Sequence, residues 1–207
     1  MNVKQICQQA PVIPVLVIED ATIAQPLAHA LVKGGLPVLE VTLRTAAALD
    51  VIRAMRDVAG SIVGAGTVLT PADVKAVKQA GAQFAVSPGI TARLLAAAQD
   101  AELPLLPGAA TVSEVMYLLE QDYDVLKFFP AEAAGGVPML KSIYGPLPSV
   151  SFCPTGGISA ATCQHYLALP NVLCVGGSWI TPADKLHAHD WAGIEAIARQ
   201  TVAIAKP

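Results

Sequence analysis

Short apolar runs recur along the chain at nearly regular intervals, and this spacing limits the possible folds more than any other feature. Eight runs begin near residues 12, 37, 61, 83, 104, 124, 150 and 172. Most are bounded by Gly, Pro or Thr and are rich in Val, Ile, Leu or Phe, which is typical of parallel strands buried on both faces. The spacing predicts eight strands with another element after each.

The segments between these runs carry helical patterns and helix start signals. Between Ile23 and Leu31, apolar residues recur at the spacing of one helix face. Thr70 and Thr111 each have an acidic residue three positions later, and a proline follows Thr70, so both threonines are expected to cap helices. A short helix within residues 1–11 is expected before the first strand.

Eight alternating units fit two α/β architectures, an open doubly wound sheet and a closed barrel. The glycine fingerprint of a dinucleotide-binding sheet is missing after the first run, where the sequence reads Ile18-Glu19-Asp20-Ala21-Thr22. Eight similar units close naturally into a ring, so the sequence favours one (β/α)8 TIM barrel over residues 1–207. Catalytic residues of such barrels lie at the carboxyl ends of the strands.

Composition narrows the class of protein. Only 14% of the 207 residues are charged and 54% are hydrophobic, whereas soluble domains average about 25% charged residues. Much buried surface is therefore expected, including a subunit interface. The net charge of −3 argues against a nucleic-acid partner, because no basic stripe can neutralise phosphates.

Location and metal content follow from further patterns. The first nine residues lack the apolar stretch of a signal peptide, and no apolar run reaches the roughly 18 residues of a membrane span. The four cysteines and four histidines show no spacing typical of a metal site. We expect a cytoplasmic protein with reduced thiols, no membrane partner, no metal and no cofactor.

Lys127 is the one lysine of eight that lies within a strand pattern, between Leu126 and Phe128. The structural alternative is a lysine that extends from an edge strand to solvent. A closed barrel has no edge, and the flanking apolar residues leave little water. Burial disfavours the ammonium, and a neutral amine can attack a carbonyl to form an imine. We therefore expect Lys127 to be a nucleophile that forms an imine with a carbonyl substrate without a metal.

Glu40 ends the second run, with Arg44 four residues later. One interpretation is a structural ion pair that lines the barrel. The functional interpretation is that Glu40 is the general acid/base, while Arg44 binds a substrate carboxylate and restrains Glu40. Imine chemistry needs such a proton shuttle beside the lysine.

Hydroxyls and glycines follow three other strands. Thr67 comes after Gly64-Ala65-Gly66, and those glycines would allow a ligand close to the backbone; a capping or turn role is the alternative for Thr67 and for Thr155. Gly156-Gly157 and Gly176-Gly177-Ser178 follow the last two runs, where barrels of this kind hold phosphate on backbone N–H groups. No Lys or Arg lies between residues 142 and 183, so a phosphate there would rely on backbone amides, a helix N-terminus and the Ser178 hydroxyl.

Six segments at strand ends occur in a characteristic order between residues 11 and 184. They are Leu39–Thr45, Val63–Leu69, Ser87–Gly89, Lys127–Glu132, Pro154–Ile158 and Gly176–Trp179. Together they resemble the 2-keto-3-deoxy-6-phosphogluconate (KDPG) aldolase / 4-hydroxy-2-oxoglutarate (KHG) aldolase family. The pair Glu-Val-Thr-Leu-Arg-Thr and Lys-Phe-Phe-Pro-Ala-Glu is the most specific part of the resemblance.

The resemblance implies a homotrimeric enzyme of the Entner–Doudoroff pathway, whose partners are a phosphorylated 2-keto acid and pyruvate. It would cleave 2-dehydro-3-deoxy-6-phosphogluconate to pyruvate and D-glyceraldehyde 3-phosphate, with side activity on 4-hydroxy-2-oxoglutarate. Lys127 would be the Schiff-base lysine and Glu40 the acid/base. The implied substrate-binding residues are Arg44, Thr67 and Thr155 at the pyruvoyl end, Gly156, Gly157, Gly177 and Ser178 at the phosphate, and Pro88 and Phe129 along the walls.

Two other classes of protein share some of these features. A phosphosugar isomerase on the same barrel would use the glycine pairs without an imine, and Lys127 argues against it. A non-catalytic protein that binds sugar phosphates would release no pyruvate.

Overall fold

The computed structural model describes residues 1–205, in which parallel strands alternate with helices. The strands are β1 (Val12–Leu16), β2 (Val38–Thr42), β3 (Ile62–Gly66), β4 (Phe84–Val86), β5 (Leu105–Leu106), β6 (Gly108–Ala109), β7 (Val125–Phe128), β8 (Ser151–Pro154) and β9 (Val175–Gly177). The helices are α1 (Val3–Cys7), α2 (Ala24–Lys33), α3 (Ala48–Arg56), α4 (Pro71–Ala80), α5 (Ala92–Asp100), α6 (Val112–Leu119), α7 (Gly136–Tyr144), α8 (Cys163–Leu167), α9 (Ala183–His187) and α10 (Trp191–Ala205). Each of the eight apolar runs contains a strand, and Pro107 divides the fifth run into β5 and β6.

The strands form two parallel sheets in which sequence neighbours are paired. One sheet has the order β5-β4-β3-β2-β1-β9, and the other has the order β6-β7-β8. Single parallel bridges join Phe152 to Val172 and Thr155 to Gly176, so the end of β8 lies beside the segment of β9. The predicted parallel α/β fold is confirmed, with a sheet curled like half of a barrel.

Alternation along the strands divides the core into two clusters, because successive side chains point to opposite faces. Leu39, Leu126 and Phe152 belong to the larger cluster, which includes the buried faces of the helices. The smaller cluster, called here the inner cluster, lies on the opposite face of the strands. It comprises Ile6, Cys7, Ile13, Val38, Phe84, Val86, Leu106, Val125, Cys153 and Cys174. Two of these residues come from α1, so the predicted amino-terminal helix is present and packs against the inner face.

Local signals set the starts of several helices. Thr70 and Asp73 exchange side-chain to backbone hydrogen bonds in a capping box before α4, and Thr111 and Glu114 do the same before α6. Asn2 caps α1 in the same way. Each cap satisfies backbone N–H groups that have no partner within the first helical turn. Both threonine caps agree with the prediction from the sequence.

Three observations concern membrane, thiol and metal chemistry. Within residues 1–205, no helix has both the length and the apolar composition needed to cross a membrane. The four cysteines are free and buried. Over the same described range, no group of three or more His, Cys, Asp or Glu side chains is arranged to hold a metal ion.

Candidate active site

Lys127 lies on β7 with its side chain on the inner face. Val125, two residues earlier, belongs to the inner cluster, and side chains two residues apart on a strand share a face. β7 is hydrogen-bonded to β6 on one side and to β8 on the other, so it is not an edge strand. Lys127 is only 5% exposed. The alternative of a lysine that extends from an edge strand to solvent is therefore wrong.

Glu40 on β2 is the direct partner of this lysine. The distance from Lys127 Nζ to Glu40 Oε1 is 3.2 Å, and Glu40 is 3% exposed. Removing two charges from water costs several kcal/mol per ion, and their mutual attraction often fails to offset that cost. Apolar residues of similar volume would stabilise the fold as well or better. A buried ion pair at the inner face is therefore a candidate functional site.

The surroundings of the amine suit proton transfer. Lys127 Nζ donates a hydrogen bond to the Glu40 carboxylate, so a proton can pass between them without a diffusing water. The ring centroid of Phe129 lies 5.3 Å from the same nitrogen and presents its π-face to the cation. A base and an apolar wall thus lie beside one buried amine.

Gly66 on β3 leaves the space that the Glu40 carboxylate occupies. A Cβ at this position would lie 2.8 Å from Glu40 Cγ and 2.9 Å from Cδ, and would overlap the carboxylate oxygen. A Cβ at Gly64 would likewise overlap the ring of Phe84. The sequence had suggested that these glycines admit a ligand close to the backbone. Side chains of the protein fill both spaces instead.

The two threonines differ in their environment. Thr155 is 7% exposed, and its Oγ1 has no hydrogen-bond partner among the described residues. Leaving a buried hydroxyl without a partner costs about 1–3 kcal/mol, so Thr155 is a candidate to bind a ligand. Thr67 is half-buried and has a φ of 59°, a left-handed conformation that is rare for a β-branched residue. Backbone strain of this kind concentrates at functional sites.

The two glycine pairs, Gly156-Gly157 and Gly176-Gly177, lie side by side. Thr155, which directly precedes the first pair, forms a parallel bridge with Gly176, the first residue of the second pair. The φ values of Gly156 and Gly157 are 108° and 80°, so only glycine adopts this turn without strain. Gly177 is buried, whereas Ser178 and Gly157 are exposed. The loops that follow β8 and β9 therefore lie next to each other.

Arg44 is exposed beyond the end of β2. Within residues 1–205 it makes no hydrogen bond or ion pair with Glu40. The structural ion pair considered from the sequence is therefore absent, and Lys127 takes the place expected of Arg44 beside the carboxylate.

Comparison with known proteins shows the family of this chain. The family model described as KDPG and KHG aldolase matches residues 3–197. The chain belongs to this aldolase family. A KHG/KDPG aldolase of Escherichia coli K12 is 52% identical over 206 residues, which cover 99% of this chain and 97% of that protein.

Solved structures of family members superpose closely. The 2-keto-3-deoxy-6-phosphogluconate aldolase of Zymomonas mobilis ZM4, crystallised with 3-phosphoglycerate, gives a TM-score of 0.92 at 50% identity, covering 97% of this chain and 94% of that one. The KDPG aldolase of Legionella pneumophila gives 0.93 at 48% identity over 98% of both chains. That crystal holds pyruvate captured at low pH as a covalent carbinolamine intermediate.

The family resemblance had also named Pro88 and Phe129, which are half-buried just beyond β4 and at the end of β7. Sequence reasoning missed Thr42, whose buried hydroxyl donates to the Leu16 carbonyl at 2.9 Å and ties β2 to β1 just beyond the carboxylate. Its spacing of two from Glu40 was the available signal, because it places both side chains on one face. No pattern in the sequence predicts the contact of Gly66 with Glu40.

Proposed function

We propose that this chain is a class I, Schiff-base-forming aldolase that cleaves 2-dehydro-3-deoxy-6-phosphogluconate to pyruvate and D-glyceraldehyde 3-phosphate, a step of the Entner–Doudoroff pathway. The observation that carries the proposal is the buried contact of Lys127 Nζ with Glu40 Oε1 at 3.2 Å. The covalent pyruvate in the Legionella relative supports the imine chemistry. The Escherichia coli relative is named for both substrates, which supports 4-hydroxy-2-oxoglutarate as a second one.

The first half of the reaction builds the electron sink. The Lys127 amine adds to the C2 ketone of the substrate, and loss of water gives an imine. Glu40 takes the proton that the attacking amine releases and returns it to the departing hydroxyl. The protonated imine then draws electrons from the neighbouring C3 carbon.

The second half of the reaction breaks the C3–C4 bond and releases the two products. Glu40, through a water molecule, removes the proton of the C4 hydroxyl, the C3–C4 bond breaks, and the aldehyde leaves. The bond electrons remain on C3 as an enamine, which receives a proton with help from Glu40. Hydrolysis of the resulting imine releases pyruvate and restores the free amine of Lys127.

The two ends of the substrate fit different groups. Arg44, Thr67 and Thr155 bind the pyruvoyl end, where a guanidinium and hydroxyls match a carboxylate. Gly156, Gly157, Gly177 and Ser178 bind the phosphate through backbone N–H groups and one hydroxyl. Pro88 and Phe129 form the walls between these ends.

We also propose that the strands close into a (β/α)8 barrel within a single domain, residues 1–207. The bridges between β8 and β9, together with the division of the fifth strand between the two sheets, support closure. A homotrimer is supported by the low charge content of 14% and by exposed side chains such as Leu69 and Met116, which are 53% and 52% exposed. Native mass spectrometry would test the trimer. A cytoplasmic location is supported by the four free and buried cysteines, because thiols stay reduced in that compartment.

Trapping with borohydride tests the chemistry. Incubation with pyruvate and borohydride should reduce the imine and add a pyruvate-derived mass to Lys127, located by peptide mass spectrometry. An active protein that acquires no adduct at Lys127 would contradict the proposal. Activity on a phosphosugar that persists through borohydride treatment would favour an isomerase instead.

A further inference from the structure

A carboxylate outside the Lys127–Glu40 pair, that of Glu132, links the loop after β7 to α8 and to the first glycine pair. Glu132 lies in the loop after β7, five residues beyond Lys127. Its Oε1 accepts a hydrogen bond of 2.5 Å from the hydroxyl of Tyr166 on α8. Tyr166 is 1% exposed, and its ring belongs to the larger core cluster, so its hydroxyl is a fixed point.

The backbone near Glu132 is joined to the first glycine pair. The N–H of Ala131 donates to the Thr155 carbonyl at 2.8 Å, and the N–H of Glu132 donates to the Gly156 carbonyl at 3.1 Å. A Cβ at Gly157 would lie 2.7 and 2.8 Å from Glu132 Cγ and Cβ, so the glycine packs directly against the glutamate side chain. The loop after β8 therefore rests on the loop after β7.

This support matters because glycines do not hold a conformation by themselves. Gly156 and Gly157 both have positive φ, and glycine loses more conformational freedom on ordering than any other residue. Backbone N–H groups bind an anion well only when they already point at it. Burial and the neighbouring Glu132 carboxylate raise the pKa of the Tyr166 hydroxyl, so it remains a donor across the neutral range.

We propose that Glu132 and Tyr166 are positioning residues for the phosphate end of the substrate, because they hold Gly156 and Gly157 in the conformation that presents their N–H groups. This inference rests on the proposed function, since it requires a phosphorylated substrate at the glycine pairs. Glu132 itself does not bind the phosphate, because two anions repel and its Oε1 is already bound to Tyr166. Its effect is confined to the distal end and does not extend to imine formation.

The experiment compares two substrates that differ in the phosphate. Tyr166→Phe and Glu132→Ala both remove the hydrogen bond, whereas Glu132→Gln keeps an acceptor of the same shape. KM and kcat are measured by pyruvate release on 2-dehydro-3-deoxy-6-phosphogluconate and on 4-hydroxy-2-oxoglutarate, which has no phosphate. One lost hydrogen bond that orders the loop should raise KM for the phosphorylated substrate about 10-fold.

The other measurements separate positioning from general damage. KM for 4-hydroxy-2-oxoglutarate and the rate of pyruvate trapping at Lys127 should stay within about twofold of wild type, and Glu132→Gln should restore most of the affinity for the phosphorylated substrate. Tyr123→Phe is the matched control, because Tyr123 is a half-buried tyrosine just before the opposite end of β7. This substitution should leave KM and kcat unchanged for both substrates.

Two results would overturn the inference and are distinguishable. A wild-type protein that releases pyruvate equally well from both substrates would refute the phosphate assignment itself, and the inference with it. A wild-type preference for the phosphorylated substrate, combined with equal losses on both substrates in Tyr166→Phe, would refute only the role of Glu132 and Tyr166.

Discussion

Two successive levels of the inner face differ sharply although the same strands build both. The lower level is the apolar inner cluster, and the upper level is the set of side chains two residues further towards the carboxyl ends of the strands. On β2, Val38 belongs to the apolar inner cluster, and Glu40, two residues later, is a buried charge. On β7, Val125 and Lys127 repeat this change. Two residues along a strand correspond to about 6.6 Å. Apolar packing and the candidate chemistry are therefore separated by a single step.

The same change between the two levels occurs on the segments of β8 and β9, where the residues are smaller. Cys153 and Cys174 belong to the inner cluster, and two residues after them come Thr155 and Gly176, which form a bridge. The lower level excludes water, so the charges above it meet solvent only from the carboxyl ends of the strands. The difference teaches that the two levels have separate roles: the lower level contributes stability, and the upper level carries the charged pair, whose amine and carboxylate interact strongly because water is excluded.

Removing the amine should have the largest effect. Lys127→Met keeps the apolar stem but cannot form an imine, so pyruvate release should fall to below roughly 10⁻⁴ of wild type, the scale seen when a covalent nucleophile is lost. Borohydride trapping should disappear. The urea midpoint should fall as well, because Glu40 is left as a buried charge without its partner. A variant that retains a trapped adduct would place the nucleophile elsewhere.

Neutralising the partner should have the next largest effect. Glu40→Gln preserves the shape but removes the base, so kcat should fall about 10²–10⁴-fold, as is usual for a general acid/base. Deuterium exchange into the methyl group of pyruvate reports enamine protonation and should slow by a similar factor. Trapping of pyruvate should slow less than exchange. Equal slowing of both would indicate that Glu40 mainly places the lysine.

Displacing the carboxylate should cost less than neutralising it. In Gly66→Ala the new methyl group overlaps Glu40, and a shift of about 1 Å at a catalytic group lowers kcat about 10²-fold. Gly89→Ala is the matched control, because a Cβ there meets nothing within 4 Å. Similar kcat values for the two variants would show that the space beside Gly66 is not used to place Glu40.

Substitutions in the lower level should affect activity least. Val38→Ala and Val125→Ala each remove apolar groups from the inner cluster, so the free energy of unfolding should fall by about 2 kcal/mol. The rate of trapping at Lys127 should stay within about twofold of wild type at low temperature, where the protein remains folded. Urea denaturation measures the first quantity and mass spectrometry the second. A large loss of trapping in a variant that stays folded would show that the lower level also controls the reactivity of Lys127.

Much of the fold could be predicted because its signals are local. The caps at Thr70 and Thr111 depend on residues three positions apart, and a strand depends on a run of apolar residues that needs no distant partner. Lys127 could be singled out for the same reason, since a charge inside an apolar run is visible without knowledge of the rest of the chain. The family resemblance added the expected substrate.

Other features could not be predicted, because they depend on which strands become neighbours. Arg44 was expected to restrain Glu40 from four residues away, but it lies beyond the strand end and is exposed. The carboxylate meets Lys127 instead, 87 residues later in the chain. Gly66 and Phe84 show the same limit, since the space beside a glycine is defined by side chains of other strands.

The recurrence of continuous apolar runs between helical segments was sufficient to establish the parallel α/β class, the order of its elements and the unusual position of one lysine, because periodicity and burial act over a few residues. Tertiary structure alone decided that Glu40 is the partner of Lys127, that Gly66 accommodates its carboxylate, and that Tyr166 reaches Glu132 from another helix. These contacts join residues 26 to 87 positions apart. Their geometry depends on the register and curvature of the sheets, which no local pattern specifies.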